Sequence, residues 1–255
     1  MKTRTLVSIV VLIFSALIVA VNSFAASNIT VYFEENAQVE LISSKRTRVL
    51  IDICDPSLLS RQATKKDILL TTHTHPDHIN SDFLLNFEGK QLFVRIGEIK
   101  AKDVSIQGIA SAHNEGDPFL PENGTNYIFI VDMGDLRIVH FGDIGQEAFT
   151  AEQLATLGKV DLAVMQFDNT SFSKMTADNK KGFNLMAQIR PRLIIPTHNS
   201  PKAAEVAMTL WPCLYSDKPS VKISRKILTD ETRILFLGDL APAYAEITNA
   251  SAVDW

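Results

Sequence analysis

Cysteine is nearly missing from this chain: Cys54 and Cys213 are the only two among 255 residues. A disulfide-dense scaffold is therefore excluded, and neither cysteine sits in a metal-ligand spacing. At most one internal bridge can form, and the sequence leaves open whether it does. Glycine (11) and proline (10) are too sparse for a collagen-like repeat. Positive charge is also short: 25 Lys and Arg against 29 Asp and Glu leave a formal charge of −4. That balance argues against a nucleic-acid binder working through a broad basic face. With 46% hydrophobic and 21% charged residues, the composition is that of a packed globular domain, not a disordered one.

Long apolar runs are absent except at the N-terminus. Lys2 and Arg4 precede Leu6 to Val21, which only Ser8 and Ser15 interrupt, and small residues follow at Ser23 and Ala25. Positive start, apolar stretch and small-residue site form the pattern of a signal peptide cut after Ala25. The competing reading is an uncleaved anchor, because the run is near the lower limit for crossing a bilayer. The expectation is a signal peptide at 1–25 and a periplasmic or secreted domain at 26–255, free of the membrane after cleavage. Losing Lys2 and Arg4 takes the formal charge from −4 to −6. What remains suits one core.

Short runs rich in Val and Ile predict strands at Ile29–Phe33, Val39–Ile42, Arg48–Ile53, Asp67–Thr72, Val104–Ala110, Asn126–Val131, Leu136–Phe141, Val160–Phe167, Arg192–Pro196, Val221–Ile223 and Arg233–Leu237. Asp132-Met133-Gly134-Asp135 reads as a hairpin turn. Helices are expected at Ser81–Phe87, Ala151–Leu157, Asn179–Ile189 and Pro201–Leu210, with Thr150 and Gln153 placed for a capping box. Strands and helices interleave without a repeat, as in a single α/β domain.

Histidine is scarce as well, yet three of the six fall within Thr72-His73-Thr74-His75-Pro76-Asp77-His78. Imidazole nitrogen and carboxylate oxygen together make a transition-metal donor set. At the end of an extended segment, His73 and His75 face the same way and can grip one ion. Pro76 is expected to open a helix, turning Asp77 and His78 toward a second ion. His113, Asp143 and His198 each follow the end of another expected strand. Sites tend to lie beyond strand ends, where loops vary over a rigid floor. His140, within a strand, suits a packed position from which it orients Asp143.

The ordered set His73-x-His75-x-Asp77-His78, His113, Asp143 and His198 resembles the metallo-β-lactamase superfamily, over about 28–198. Phe141-Gly142-Asp143 and Ile195-Pro196-Thr197-His198 look most like its broad zinc-dependent hydrolase branch, which includes L-ascorbate 6-phosphate lactonase. The resemblance implies an α/β fold of the αββα sandwich type with two divalent metal ions in a cleft along one edge. His73, His75 and His113 would hold the first ion, Asp77, His78 and His198 the second, and Asp143 would bridge them. Zinc is the default, with manganese or iron compatible. Two such ions lower the pKa of a shared water, and Asp77 would orient that nucleophile and pass on a proton.

The implied activity is hydrolysis of a small-molecule ester, lactone or phosphodiester, without a nucleic-acid partner. A β-lactamase, a diiron oxidoreductase or a non-catalytic metal-binding module on the same fold are the alternatives. Asp143 disfavours the first and His75 the second. Asp168-Asn169 departs from the glycine pair common in that branch, which changes the pocket wall. Asn114–Thr125 and Phe167–Ser171 are candidate walls of the cleft, with Asn114, Asn169 and Asn199 as donors within or beside them.

Overall fold

In a computed structural model, residues 28–34, 37–170 and 173–255 are described. The expected signal peptide at 1–25 lies outside them. In chain order the elements are β1 (Ile29–Phe33), β2 (Val39–Ile42), β3 (Arg48–Ile51), β4 (Ile68–Thr71), α1 (Ser81–Asn86), β5 (Lys90–Phe93), β6 (Gly97–Ala101), β7 (Val104–Ser111), β8 (Asn126–Met133) and β9 (Leu136–His140). Then come α2 (Ala151–Leu157), β10 (Leu162–Gln166), α3 (Lys181–Ile189), β11 (Leu193–Thr197), α4 (Pro201–Leu210), β12 (Cys213–Ser216), β13 (Ser220–Ile223), β14 (Arg233–Leu237), α5 (Ala241–Thr248) and β15 (Ser251–Ala252).

Two mixed sheets result, ordered β13-β1-β2-β3-β4-β5 and β15-β12-β14-β11-β10-β9-β8-β7-β6. Period-two alternation explains how they stack. Val49, Ile51, Ile68 and Leu70 of the first sheet join Phe129, Val131, Leu162 and Val164 of the second in one core between the sheets. The intervening residues face outward. Ile128, Ile130, Ala163 and Met165 pack with Phe183 and Met186 of α3 and with Ala203 and Ala207 of α4. Leu50 and Leu69 pack against Phe83 and Leu84 of α1. The layers therefore run α, β, β, α.

Thr150 and Gln153 form the expected capping box at α2, and Gly134 takes φ +62° in the expected β8–β9 hairpin. Several expectations need correction. The strand expected to reach Ile53 stops at Ile51, because Asp52 adopts φ +52° and turns the chain. Pro76 does not open a helix: Pro76–His78 form a turn closed by His78 N–H donating to the His75 carbonyl at 2.9 Å. The helix starts at Ser81, as expected, capped by the Asn80 side chain. Strands β5, β6, β12 and β15 and helix α5 were not expected; the strands are short or amphipathic, and Lys90–Phe93 buries only Leu92. Cys54 and Cys213 are both free thiols.

Arg48, fully buried on β3, is neutralised within the first sheet. It pairs with Glu40 at 2.5 Å and with Asp67 at 3.2 Å, and it donates to the Arg61 carbonyl at 2.9 Å. This network clamps the 55–67 loop, and Asp55 of that loop reaches the site described next.

Candidate metal centre

Strands β4, β7, β9 and β11 all deliver a metal-capable residue just past their C-terminal ends: His73, His113, Asp143 and His198. The 72–80 turn adds His75, Asp77 and His78. All seven side chains converge as two groups. His73, His75, His113 and Asp143 form one, and Asp77, His78 and His198 the other, with the ligand atoms of each group within 4.8 Å of one another.

Asp143 stands between the groups. Its Oδ2 lies 3.6 Å from His73 Nε2 and 3.8 Å from His113 Nε2. Its Oδ1 lies 3.3 Å from both His78 Nε2 and His198 Nε2. The two imidazoles are 3.2 Å apart, and His198 Nε2 is 3.9 Å from Asp77 Oδ2. A tetrahedral ion with ligands at about 2.0–2.2 Å separates them by about 3.3–3.6 Å. The spacing suits donors around an ion better than hydrogen-bond partners. His73 Nε2, His113 Nε2 and Asp77 Oδ1 are buried without a hydrogen-bond partner, a costly arrangement that a cation relieves. The donor set thus fits two divalent ions.

A second layer fixes how these ligands point. Asp52 is fully buried and accepts from Thr72 N–H at 2.8 Å and from Thr72 Oγ1–H at 2.7 Å. It also lies 2.9 Å from His78 Nδ1. With its hydroxyl hydrogen committed to Asp52, Thr72 Oγ1 accepts from His73 Nδ1–H at 3.0 Å. Both imidazoles therefore carry the proton on Nδ1 and present the Nε2 lone pair to the centre. His140 is packed, as expected, and stands outside both groups: it accepts from Gly142 N–H, beside Asp143, at 3.1 Å and donates to the Ala37 carbonyl at 3.0 Å.

Asp143 itself is held by two asparagines. Asn126 accepts from Asp143 N–H at 3.0 Å while donating to the Phe141 carbonyl and Ser111 Oγ, both at 2.8 Å. Asn169 donates to Asp143 Oδ2 at 2.7 Å and to Gln166 Oε1 at 3.0 Å. Asn169, a candidate donor to substrate or a turn residue from the sequence, commits its amide to the carboxylate. Between them, Gly142 takes φ +55°, and a Cβ there would sit 2.4 Å from Asn126 Oδ1. Gly145 is equally constrained, since its Cβ would lie 2.0 Å from the His113 carbonyl oxygen. His198 takes φ +38°, with its carbonyl held by Asp168 N–H at 2.7 Å.

Electrostatics follow from this packing. Burial works against the Asp143 carboxylate, yet the hydrogen bonds and charges of His198 and His78 hold its pKa well below the usual range. Asp52 is likewise kept low, by His78 against the effect of burial. Burial alone would lower His78, but Asp52 and Asp143 push it up to about 10. Burial brings His73 down to about 3. The two carboxylates thus create a potential that attracts positive charge, whether proton or metal ion.

A cleft of about 640 Å³ opens from His198, lined also by Asp55, Asp168 and Asn199. Asp168 thus forms the expected wall after β10. None of the residues 114–125 lines this cleft. The segment folds around Asp117, whose carboxylate accepts from Asn114 N–H at 2.9 Å and Thr125 Oγ1 at 3.0 Å. Phe119 and Pro121 face a separate groove beside β6, β7 and α2.

The family described as beta-lactamase superfamily domain matches residues 31–198, a span that includes all seven converging residues. No curated protein matches the chain. Among solved structures, a metallo-beta-lactamase superfamily protein of Thermotoga maritima is 14% identical, with a TM-score of 0.58 over 82% of this chain and 99% of its own. A metallo hydrolase from the archaeon Ignicoccus hospitalis is 16% identical, with a TM-score of 0.51 over 71% of this chain and 90% of its own. An isothiocyanate hydrolase from Delia radicum gut bacteria is 14% identical, with a TM-score of 0.50 over 77% and 99%. These likenesses establish the fold.

Proposed function

The chain belongs to the beta-lactamase superfamily, and on that footing we propose that it is a dinuclear metal-dependent hydrolase of a small-molecule ester, lactone or phosphodiester. The observation that carries this reading is Asp143, whose two oxygens face different groups of imidazoles. His73, His75 and His113 would hold one ion, Asp77, His78 and His198 the other, and Asp143 both. Zinc is the default occupant of such a nitrogen-rich set. The contexts of Asp143 and His198 favour the branch that resembles L-ascorbate 6-phosphate lactonase.

When bound, two such ions supply Lewis acidity and lower the pKa of a water between them. The chain's own residues do the rest. Asp52 and Thr72 keep the Nε2 atoms of His73 and His78 aimed inward. Asn126 and Asn169 fix the carboxylate of Asp143. Asp77, 26% exposed with a buried, unpartnered Oδ1, sits where it can orient a water and accept its proton. The cleft beyond His198 receives the substrate. The leader-like residues 1–25 support a periplasmic or secreted setting.

Elemental analysis of the purified chain, followed by an ester, lactone and phosphodiester panel with a cephalosporin included, tests the proposal. Two zinc equivalents are expected, with turnover lost on chelation and restored by zinc. Asp143→Asn is expected to bind fewer than two ions. Turnover that survives complete removal of metal overturns the reading.

A further inference from the structure

The cleft that opens from His198 carries a charge pattern unlike that of the centre itself. Among the described residues its lining includes four carboxylates, Glu34, Asp55, Asp168 and Asp239, and neither lysine nor arginine. Among these acids stand aromatic rings, with Phe33 and Tyr244 also on the lining. His198 of the metal centre stands on the same lining, and within that centre the nearly buried His73 keeps an unpartnered Nε2. The centre is therefore a place built for a ligand, and the acids form the approach to it.

Phosphate and carboxylate groups are held by arginine forks, lysines or backbone nests. Carboxylates with aromatic faces suit an ammonium group, by ion pairing and cation–π attraction. Two divalent ions would outweigh the three carboxylates of Asp52, Asp77 and Asp143 and leave the centre with net positive charge. The arrangement is thus polar along its length, positive where the bond is broken and negative where the remainder of the substrate rests. We propose that the substrate carries a cationic, amine-type group on an apolar body, remote from the scissile bond, and does not carry a second, remote phosphate. The proposal rests on the hydrolase reading above and narrows its substrate class.

The test uses the zinc-loaded full chain and three acetate esters. One bears a trimethylammonium group, the second its uncharged tert-butyl isostere, and the third a phosphate at the same place. Partly exposed carboxylates act at modest strength, so kcat/KM for the cation is expected to exceed that for the neutral ester by about fivefold to tenfold at low salt. That ratio should approach one near about 0.5 M salt, and also in the double variant Asp55→Asn, Asp239→Asn. A ratio at or below one, or a preference for the phosphate ester, overturns the proposal. If none of the esters or the wider panel is turned over, the hydrolase reading fails, and calorimetry decides the cleft separately. Benzyltrimethylammonium should then bind at least fivefold tighter than benzyl alcohol, with the difference lost in high salt. Equal affinities would refute the charge assignment on their own.

Discussion

Asp52→Asn probes the support beneath both groups of ligands with little steric change. Asparagine has nearly the shape of aspartate and tolerates the φ of +52° found here. It removes the charge, however, and replaces one acceptor oxygen by an NH₂ group. Asp52 Oδ1 accepts from Thr72 N–H and its Oδ2 from both His78 Nδ1–H and Thr72 Oγ1–H, so an amide cannot serve all three donors. At least one imidazole is then free to rotate or change tautomer. Loss of such a supporting group typically weakens metal affinity by about 10–100-fold, equivalent to about 1.4–2.8 kcal/mol. A hydrogen bond to a charged group contributes about 1.5–3 kcal/mol, which agrees. Zinc competition against a chromophoric chelator measures the change, with thermal unfolding as a check on folding. Turnover in saturating zinc should recover in part. If Asp52→Asn binds two ions as tightly as the parent, the assignment of Asp52 as the anchor of His73 and His78 is wrong.

Gly142→Ala should disturb the turn that presents Asp143, because the new Cβ would lie 2.4 Å from Asn126 Oδ1 and 2.7 Å from Thr72 Cβ at a φ of +55°. A loss of about 1–3 kcal/mol is expected, with fewer than two metal equivalents by elemental analysis and a lower Tm. Arg48→Met leaves Glu40 with no arginine partner in a buried setting, and chemical denaturation should show a loss of about 3–5 kcal/mol. Chelation should lower Tm, since an ion present at 100 times its Kd stabilises the folded state by about 2.7 kcal/mol. For a domain of this size that is about 5–10 °C, and calorimetry with and without chelator would expose an unchanged Tm.

The seven converging positions were legible because histidine is scarce in this chain and its clustering has no simple role in packing. His73, His75 and His78 announce themselves within one segment, and His113, Asp143 and His198 stand just past runs of buried strand residues. Their supports were not legible. Asp52 ends an apolar strand and meets His78 across 26 residues, while Asn126 meets Asp143 across 17. Such bonds depend on strand register and order, which local pattern does not encode. The same limit hid the charge of the cleft. Glu34, Asp55, Asp168 and Asp239 belong to four separate loops, and only the stacking of the two sheets places them on one wall. The turn at Pro76 and the helix at Ser81 were legible; only a helix opening at Pro76 itself was not borne out. Proline fixes φ for a turn as well as for a first helical residue, and Asn80, with its own side-chain cap on Phe83 N–H at 2.9 Å, set the helix start instead.

The two groups of candidate ligands share more than the neighbouring Asp143. Asp52 reaches His73 of one group through Thr72 and His78 of the other directly, while Asp143 lies between the groups with one oxygen toward each. Each carboxylate is fully buried, so neither can exchange a lost partner for water. Shifting an imidazole in one group therefore leaves a buried charge less satisfied beside the other, at a cost of order 1–3 kcal/mol per broken contact. Thr72 has no freedom to absorb the shift, because its backbone and its hydroxyl are both committed to Asp52. Gly142 removes the remaining slack: Asn126 and Thr72 occupy the space that any side chain there would need. The centre is thus rigid because its charges are shared, and a substitution at either carboxylate must perturb both halves together.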